Sequence, residues 1–205
     1  RESIVSEETL LQDIARYVIE AGGKRIRPMV TLLSFRALGG KDIRQAVDLA
    51  AALEMIHSAT LIHDDINDGG EMRRGRLAAY KKFGLQAALV TGDFLFVKAF
   101  GIGGKFDADI VELTANACAA LAEGEIRQQR HAFDTAVSRD EYLDIIRRKT
   151  ALPIMAGAKI AGLLASARLE HIEAVGDYGL NLGMAFQIVD DILDVVGDGA
   201  RLGKP

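Results

Sequence analysis

An all-α fold is what this sequence predicts, and three observations predict it. The composition favours helix: of 205 residues about half are apolar, only 6% are aromatic, Trp is absent and Pro occurs three times. Ala, Leu, Ile, Glu, Lys and Arg dominate, and these lose little on entering a helix. Apolar residues recur at i, i+3, i+4 and i+7 nearly end to end. No alternating strand pattern of useful length interrupts them.

The elements follow in order. Ser6-Glu7-Glu8 precedes Leu10, Leu11, Ile14, Tyr17 and Val18, so Ser6 is the expected N-cap of a helix ending near Ala21-Gly22-Gly23. Residues 29–38 make a second helix, stopped by Gly39-Gly40. Asp42 caps a long third helix that runs to about Asp68, where Gly69-Gly70 breaks it. Residues 85–100 make the next, interrupted by Gly101 to Gly104. Another starts at Asp107 or Asp109 and reaches about Gln129. Ser138 with Glu141 three residues on is a capping box for a helix over 139–165, in which Pro153 starts a kink or break. A last long helix covers about 170–196.

Charge and cysteine content narrow the function. The net charge is −4, which argues against a nucleic-acid partner, since that needs a clustered basic excess. Cys118 is the sole cysteine, cannot form an internal disulfide, and fits a reducing, cytoplasmic setting. It lies among Ala117, Ala119 and Ala120 and reads as a small buried hydrophobe. The most apolar run, Ala87 to Phe100, carries Asp93 and Lys98, so no integral membrane segment is expected. One domain over 1–205 is expected. The absence of an initial Met and the stop at Gly203-Lys204-Pro205 read as a piece of something longer.

Two clusters share the spacing D-D-x-x-D: Asp64, Asp65, Asp68 and Asp190, Asp191, Asp194. At ~100° per residue the first and fifth positions lie ~40° apart on a helix, and the second ~100° from the first. Like charges four residues apart repel, and a helix C-terminus disfavours anions, so these carboxylates need a cation. Short hard oxygen ligands suit Mg²⁺, which takes one or two carboxylates and fills its shell with water and phosphate. An EF-hand starting at Asp65 fails, because Arg76 stands where a bidentate Glu is required. His57 and Gln187 extend the two stripes by helical spacing.

Three basic blocks complement the carboxylates: Gly22-Gly23-Lys24-Arg25-Ile26-Arg27-Pro28, Met72-Arg73-Arg74-Gly75-Arg76 and Arg147-Arg148-Lys149-Thr150. Helix N-termini favour phosphate, and Arg adds bidentate donors.

In order, GGKRIRP, HDDINDGGEMRRGR, GDFLF, RRKTA, FQIVDDILD and GDGARLGKP resemble the successive blocks of the trans-isoprenyl diphosphate synthases, the polyprenyl synthetases. The resemblance spans about residue 20 to 205. It implies the isoprenoid synthase fold, antiparallel helices around a central cavity, usually in a homodimer, with the family's C-terminal helices missing here. It implies head-to-tail condensation of isopentenyl diphosphate with an allylic diphosphate. Asp64, Asp65, Asp68, Asp190, Asp191 and Asp194 are the implied ligands of three Mg²⁺. Lys24, Arg27, His57 and Arg74 match positions that hold isopentenyl diphosphate. His57 stands where some short-chain members have Gln, and either can donate to phosphate. Arg73, Lys149, Thr150, Gln187 and Lys204 match those around the allylic diphosphate and its cation.

The family reads product length upstream of the first cluster. Ala59 and Thr60, five and four residues before Asp64, are small, with Ile56 and Leu53 deeper. Geranylgeranyl diphosphate or longer is therefore expected, farnesyl diphosphate being the alternative if Phe94, Phe96 or Phe100 closes the floor. The rivals are a class I terpene cyclase, which needs no isopentenyl site, and an inactive partner subunit, which tends to lose Asp or Arg.

Overall fold

In the computed structural model, which describes residues 4–132 and 134–196, the described chain is helical apart from one minute hairpin. The helices are α1 Thr9–Ile19, α2 Ile26–Ala37, α3 Ile43–Asn67, α4 Ala79–Phe83, α5 Leu85–Gly103, α6 Ala108–Arg130, α7 Arg139–Ile146, α8 Leu152–Leu164 and α9 Leu169–Val196. The hairpin pairs β1 Met72–Arg73 with β2 Arg76–Leu77, antiparallel. The all-α expectation holds.

The chain divides into two compact units. One contains the N-terminal segment through Arg25 and Ala51–Lys105. Here α5 packs against α1 and α4, burying Ala88, Thr91, Gly92, Leu95 and Ala99. Gly92 admits His63 of α3 at van der Waals contact: a Cβ there would lie 2.2 Å from His63 Nε2. His63 then sits 3.3 Å from the Leu89 carbonyl and stacks on Phe96.

The other unit contains Ile26–Ala50 and, among the described residues, 106–196. Its centre is α8, which contacts α2, α6 and α9. This helix is apolar almost all round, the pattern of a fully buried helix. Ile154, Ala158 and Val30 form one cluster and Phe35, Ala46 and Ala161 another. Burying a side chain such as Ile160, fully inaccessible, stabilises by about 1.5–3 kcal/mol. The approach of α9 is set by Gly176, Gly179 and Gly183, whose missing side chains face Lys159, Met155 with Ala158, and Ala151.

Several boundaries differ from the sequence expectation. The N-cap of α1 is Glu8; Ser6 Oγ instead accepts the Glu8 N–H at 3.2 Å, one turn early. α2 starts at Ile26, because Pro28 in the first turn forfeits only an N–H that has no intrahelical partner there. α5 continues through Gly101 to Gly103, since helical Gly costs only about 1 kcal/mol. At 19 residues it is long and apolar enough to cross a membrane, by length and composition alone. The single helix expected over 139–165 is α7 and α8 joined by a π-helical turn, Arg147–Ala151. Pro153 cannot donate to a carbonyl four residues back, and the wider turn accommodates it. Ser138 and Glu141 form the expected capping box, Glu141 N–H to Ser138 Oγ at 3.2 Å and Ser138 N–H to Glu141 Oε2 at 3.0 Å.

Candidate functional site

The first aspartate cluster closes α3. Asp64 is half-buried, Asp65 buried and Asp68 exposed. The ~100° offset turns Asp65 away from the stripe shared by Asp64 and Asp68. Asp65 Oδ1 accepts from Arg73 Nε at 2.8 Å and Nη2 at 2.5 Å. Burial still raises its pKa above the ordinary carboxylate range, the arginine only partly offsetting that. Gly69 (φ +67°) ends the helix and leads into the hairpin.

The hairpin turn places Arg74 (φ +53°) and Gly75 (φ +73°) in the left-handed region, the two-residue turn that needs positive φ at both centres. For Arg74 that conformation costs about 1–3 kcal/mol. The strain aims its guanidinium into the protein, where it donates to the Gly22 carbonyl. Gly23 (φ +121°) makes room: a Cβ there would lie 2.6 Å from Arg74 Cζ. Burial, then nearby Arg25, holds Arg74 below the usual arginine pKa. Arg25 itself pairs with Glu54 of α3 and donates to the Ile19 carbonyl. The structure thus joins the first two basic blocks at Gly22–Arg25 and Arg73–Arg76.

Tyr17 of α1 secures the hairpin, its hydroxyl donating to the Leu77 carbonyl at 2.8 Å. Lys82 lies 4.0 Å and Arg76 5.6 Å from the Tyr17 ring centroid, and Phe83 meets it edge-on. A pocket opens between α1, α3 and the hairpin, lined by Tyr17, Ile62, Asp65, Arg73, Arg74 and Leu77. Lys24 is exposed and His57 half-buried. Ile56, Ala59 and Thr60 are all buried in α3, and Thr60 Oγ1 donates to the His57 carbonyl at 2.9 Å.

The second cluster lies near the end of α9. Asp190 and Asp191 are half-buried and Asp194 exposed. Again the second aspartate is held by protein donors: Tyr142 Oη at 2.7 Å on Oδ2 and Gln187 Nε2 at 2.8 Å on Oδ1. Gln187 Oε1 accepts from Thr150 Oγ1 at 2.8 Å. Burial, then this hydrogen bond, pushes the Tyr142 pKa up to about 12. Lys149 pairs with Glu125 of α6 and donates to Gln128 Oε1 at 3.3 Å. Gly124 permits that approach, since a Cβ there would meet Lys149 N at 3.0 Å. Of the third basic block, Arg148 is tied to Asp144 and Glu123. Arg27 lies in the first turn of α2. Lys204 and the block that carries it lie outside the described residues.

Sequence reasoning missed Tyr142, Glu125, Gln128, Glu54 and Tyr17. A Glu inside the mostly small and apolar run of α6 was the one available signal. Among the described residues no group of three His, Cys, Asp or Glu side chains converges to hold a metal by itself. Two carboxylates four residues apart, Asp64 with Asp68 and Asp190 with Asp194, are a set that fits Mg²⁺, because substrate oxygens and water complete its shell.

The polyprenyl synthetase family model matches residues 8–205. The chain is 38% identical over 204 residues to octaprenyl diphosphate synthase of Escherichia coli K12, covering 99% of this chain and 63% of that one. It is 41% identical over 212 residues to the short chain isoprenyl diphosphate synthase of Methanothermobacter thermautotrophicus, covering 100% and 65%. The polyprenyl synthase of Caulobacter crescentus CB15, solved with calcium and isoprenyl diphosphate, superposes with a TM-score of 0.95 at 40% identity, covering 99% of this chain and 62% of that one. The chain spans less than two thirds of the length of these relatives.

Proposed function

This chain belongs to the polyprenyl synthetase family, and from that premise we propose that it is the catalytic portion of a trans-prenyltransferase. The reaction is condensation of isopentenyl diphosphate with an allylic diphosphate to a longer polyprenyl diphosphate. One observation carries the proposal. Both D-D-x-x-D motifs give their second aspartate to a protein donor, while their first and fifth share a different helix face. That division suits two divalent-cation sites, for which three Mg²⁺ per active site is the working stoichiometry. A family match running continuously over 8–205 supports one catalytic domain.

Lys24, Arg27, His57 and Arg74 bind the isopentenyl diphosphate, Arg74 from a guanidinium already oriented by Gly22 and Gly23. Arg73, Lys149 and Lys204 counter charge on the allylic diphosphate as its C–O bond breaks. One preorganised donor of this kind contributes about 2.7–4 kcal/mol to the transition state. Bound Mg²⁺ supplies Lewis acidity to the leaving group. Asp65 keeps Arg73 in place, and Glu125 keeps Lys149 in place. The Thr150 proton is committed to Gln187, so the hydroxyl oxygen offers lone pairs to the allylic cation. The isopentenyl double bond attacks that cation, and the proton lost in forming the new double bond goes to the departing diphosphate.

Small buried residues at Ala59 and Thr60 support a product of geranylgeranyl length or longer. The relatives' names include both short chain and octaprenyl, so they leave that choice to the tunnel. The exposed apolar side chains of α5 — Leu85, Leu89, Val97 and Phe100 — support a homodimer formed through that helix. A half-buried thiol at Cys118 supports a cytoplasmic setting. The test is incubation of the purified protein with Mg²⁺, labelled isopentenyl diphosphate and allylic primers of graded length, followed by product sizing. Elongated products are expected. A cyclic hydrocarbon, or consumption of neither substrate, would refute the assignment.

A further inference from the structure

The second cluster contains a hydrogen-bonded chain whose far end, Tyr142, takes no part in the proposed reaction. Asp191 is the fixed point. An ionised carboxylate only accepts, so Tyr142 Oη, 2.7 Å from Oδ2, must donate. The Gln187 group 2.8 Å from Oδ1 must likewise be its amide nitrogen. Gln187 then presents its carbonyl to Thr150, and Thr150 must donate across 2.8 Å. One acceptor therefore fixes the direction of three donors on three elements: α7, α9 and the π-helical turn.

We infer that Tyr142 is a positioning residue, and that Asp191 serves it rather than a metal. Tyr142 ties Asp191 to α7, Asp191 orients Gln187, and Gln187 holds the Thr150 proton away from the substrate. This rests on the reading of Thr150 as the group that faces the allylic cation. Without the Tyr142 hydroxyl, Asp191 loses one of its two protein donors and Gln187 loses a fixed anchor. Thr150 can then turn its proton toward the cation, which repels it. The cation is stabilised less well and is captured more often by water, which loses a proton to the departing diphosphate and leaves the allylic alcohol.

The test is Tyr142→Phe in the full chain, which removes one oxygen and nothing else. The KM for isopentenyl diphosphate should stay within about twofold. Turnover should fall about tenfold, the value of one hydrogen bond to a charged group. The ratio of allylic alcohol to elongated product should rise several-fold, a readout that a merely structural role does not move. Asp191→Asn should show the same ratio change, and the double variant should be no worse than either single one. Calorimetric binding of inorganic diphosphate with Mg²⁺ should stay within about twofold in all three.

A wild-type alcohol-to-product ratio in Tyr142→Phe would overturn the inference. So would a large loss of Mg²⁺–diphosphate affinity in Asp191→Asn, which makes Asp191 a metal ligand. If Tyr142→Phe does not fold, Asp191→Asn and its calorimetry decide alone. A wild-type protein that elongates nothing removes the prenyltransfer reading and this inference with it. A wild type that elongates, matched by its Phe variant, removes only the inference.

Discussion

Gly183→Ala tests whether helix spacing sets the chemistry of the second cluster. A Cβ at Gly183 would lie 2.5 Å from Ala151 Cα, 3.0 Å from Ala151 Cβ and 3.4 Å from Ala151 N. Two of these are backbone atoms of the π-helical turn, so no side chain can swing aside. Relief to ordinary contact moves α9 away by about 1 Å, in a packed interior with no slack. Gln187, one turn further along α9, moves with it. Its 2.8 Å bond from Thr150 then stretches beyond the ~3.2 Å limit of a good hydrogen bond. Overpacking costs about 1–3 kcal/mol, and Ala in place of helical Gly returns about 1. The net loss is about 0–2 kcal/mol, or up to roughly 8 °C in Tm for a chain of this size. Turnover suffers more, since a 1 Å misplacement costs on the order of 10²-fold. Gly179→Ala, whose Cβ would meet Met155 Cα at 3.1 Å, should fall between this variant and the wild type. Thermal melts and single-turnover condensation measure both quantities. A folded Gly183→Ala protein with wild-type turnover would refute the spacing argument.

Five further outcomes are expected. Asp64→Ala or Asp190→Ala should cut turnover by orders of magnitude while circular dichroism still reports a folded protein; near-normal rates in either would sink the two-cluster mechanism. Gly23→Ala forces an L side chain to φ +121° and displaces the Arg74 guanidinium, so the KM for isopentenyl diphosphate should rise about tenfold, as expected for loss of one charge-assisted bond. Ala59→Phe should shorten the product, and an unchanged length distribution would count against a tunnel along α3. Ser138→Ala should cost about 1 kcal/mol as a lost N-cap. Bonds from the Ser138 hydroxyl, then its backbone N–H, lower the Glu141 pKa. A lowered carboxyl pKa adds stability above the ordinary glutamate value of ~4.3 and loses it as pH falls through the folded value. The gap between wild type and Glu141→Gln in melting temperature should therefore close on acidification below about pH 4.

Helices were legible because their signals are local: periodicity, the Ser138–Glu141 box, and Gly69-Gly70 after Asp68. The carboxylate geometry was legible too, since spacing alone put Asp65 about 100° from Asp64 and about 60° from Asp68, outside the ~40° stripe those two share. What it could not supply was the partner, because Arg73 reaches Asp65 only after the chain reverses through Gly69 (φ +67°) beyond the end of α3. The π-helical turn was hidden for a similar reason. Pro153 announces a disturbance, but its form depends on Gly124 and Gly183 from α6 and α9 pressing on Lys149 and Ala151. A hairpin of two-residue strands is too short to alternate. Tyr142 stands eight residues before Thr150, and only the fold brings its hydroxyl to a carboxylate on α9. Gly101 to Gly104 mislead because glycine within a helix lowers propensity without ending it, and α5 runs on to Gly103.

The placement of two tyrosines has an optical consequence. The chain has four Tyr and no Trp, so its ultraviolet emission is tyrosine emission. Tyr17 lies under Lys82 of α4 and Arg76 of the hairpin, and Tyr142 donates to a carboxylate of the second cluster. Hydrogen bonding to a carboxylate and nearby charge both alter tyrosine emission. Each aspartate cluster thus carries a native chromophore within one or two side chains of it. Subtracting the Tyr17→Phe signal from wild type isolates the first cluster, and a single Trp placed elsewhere would have no background to compete with. Ligand arrival at the two clusters can then be timed separately in one unlabelled protein.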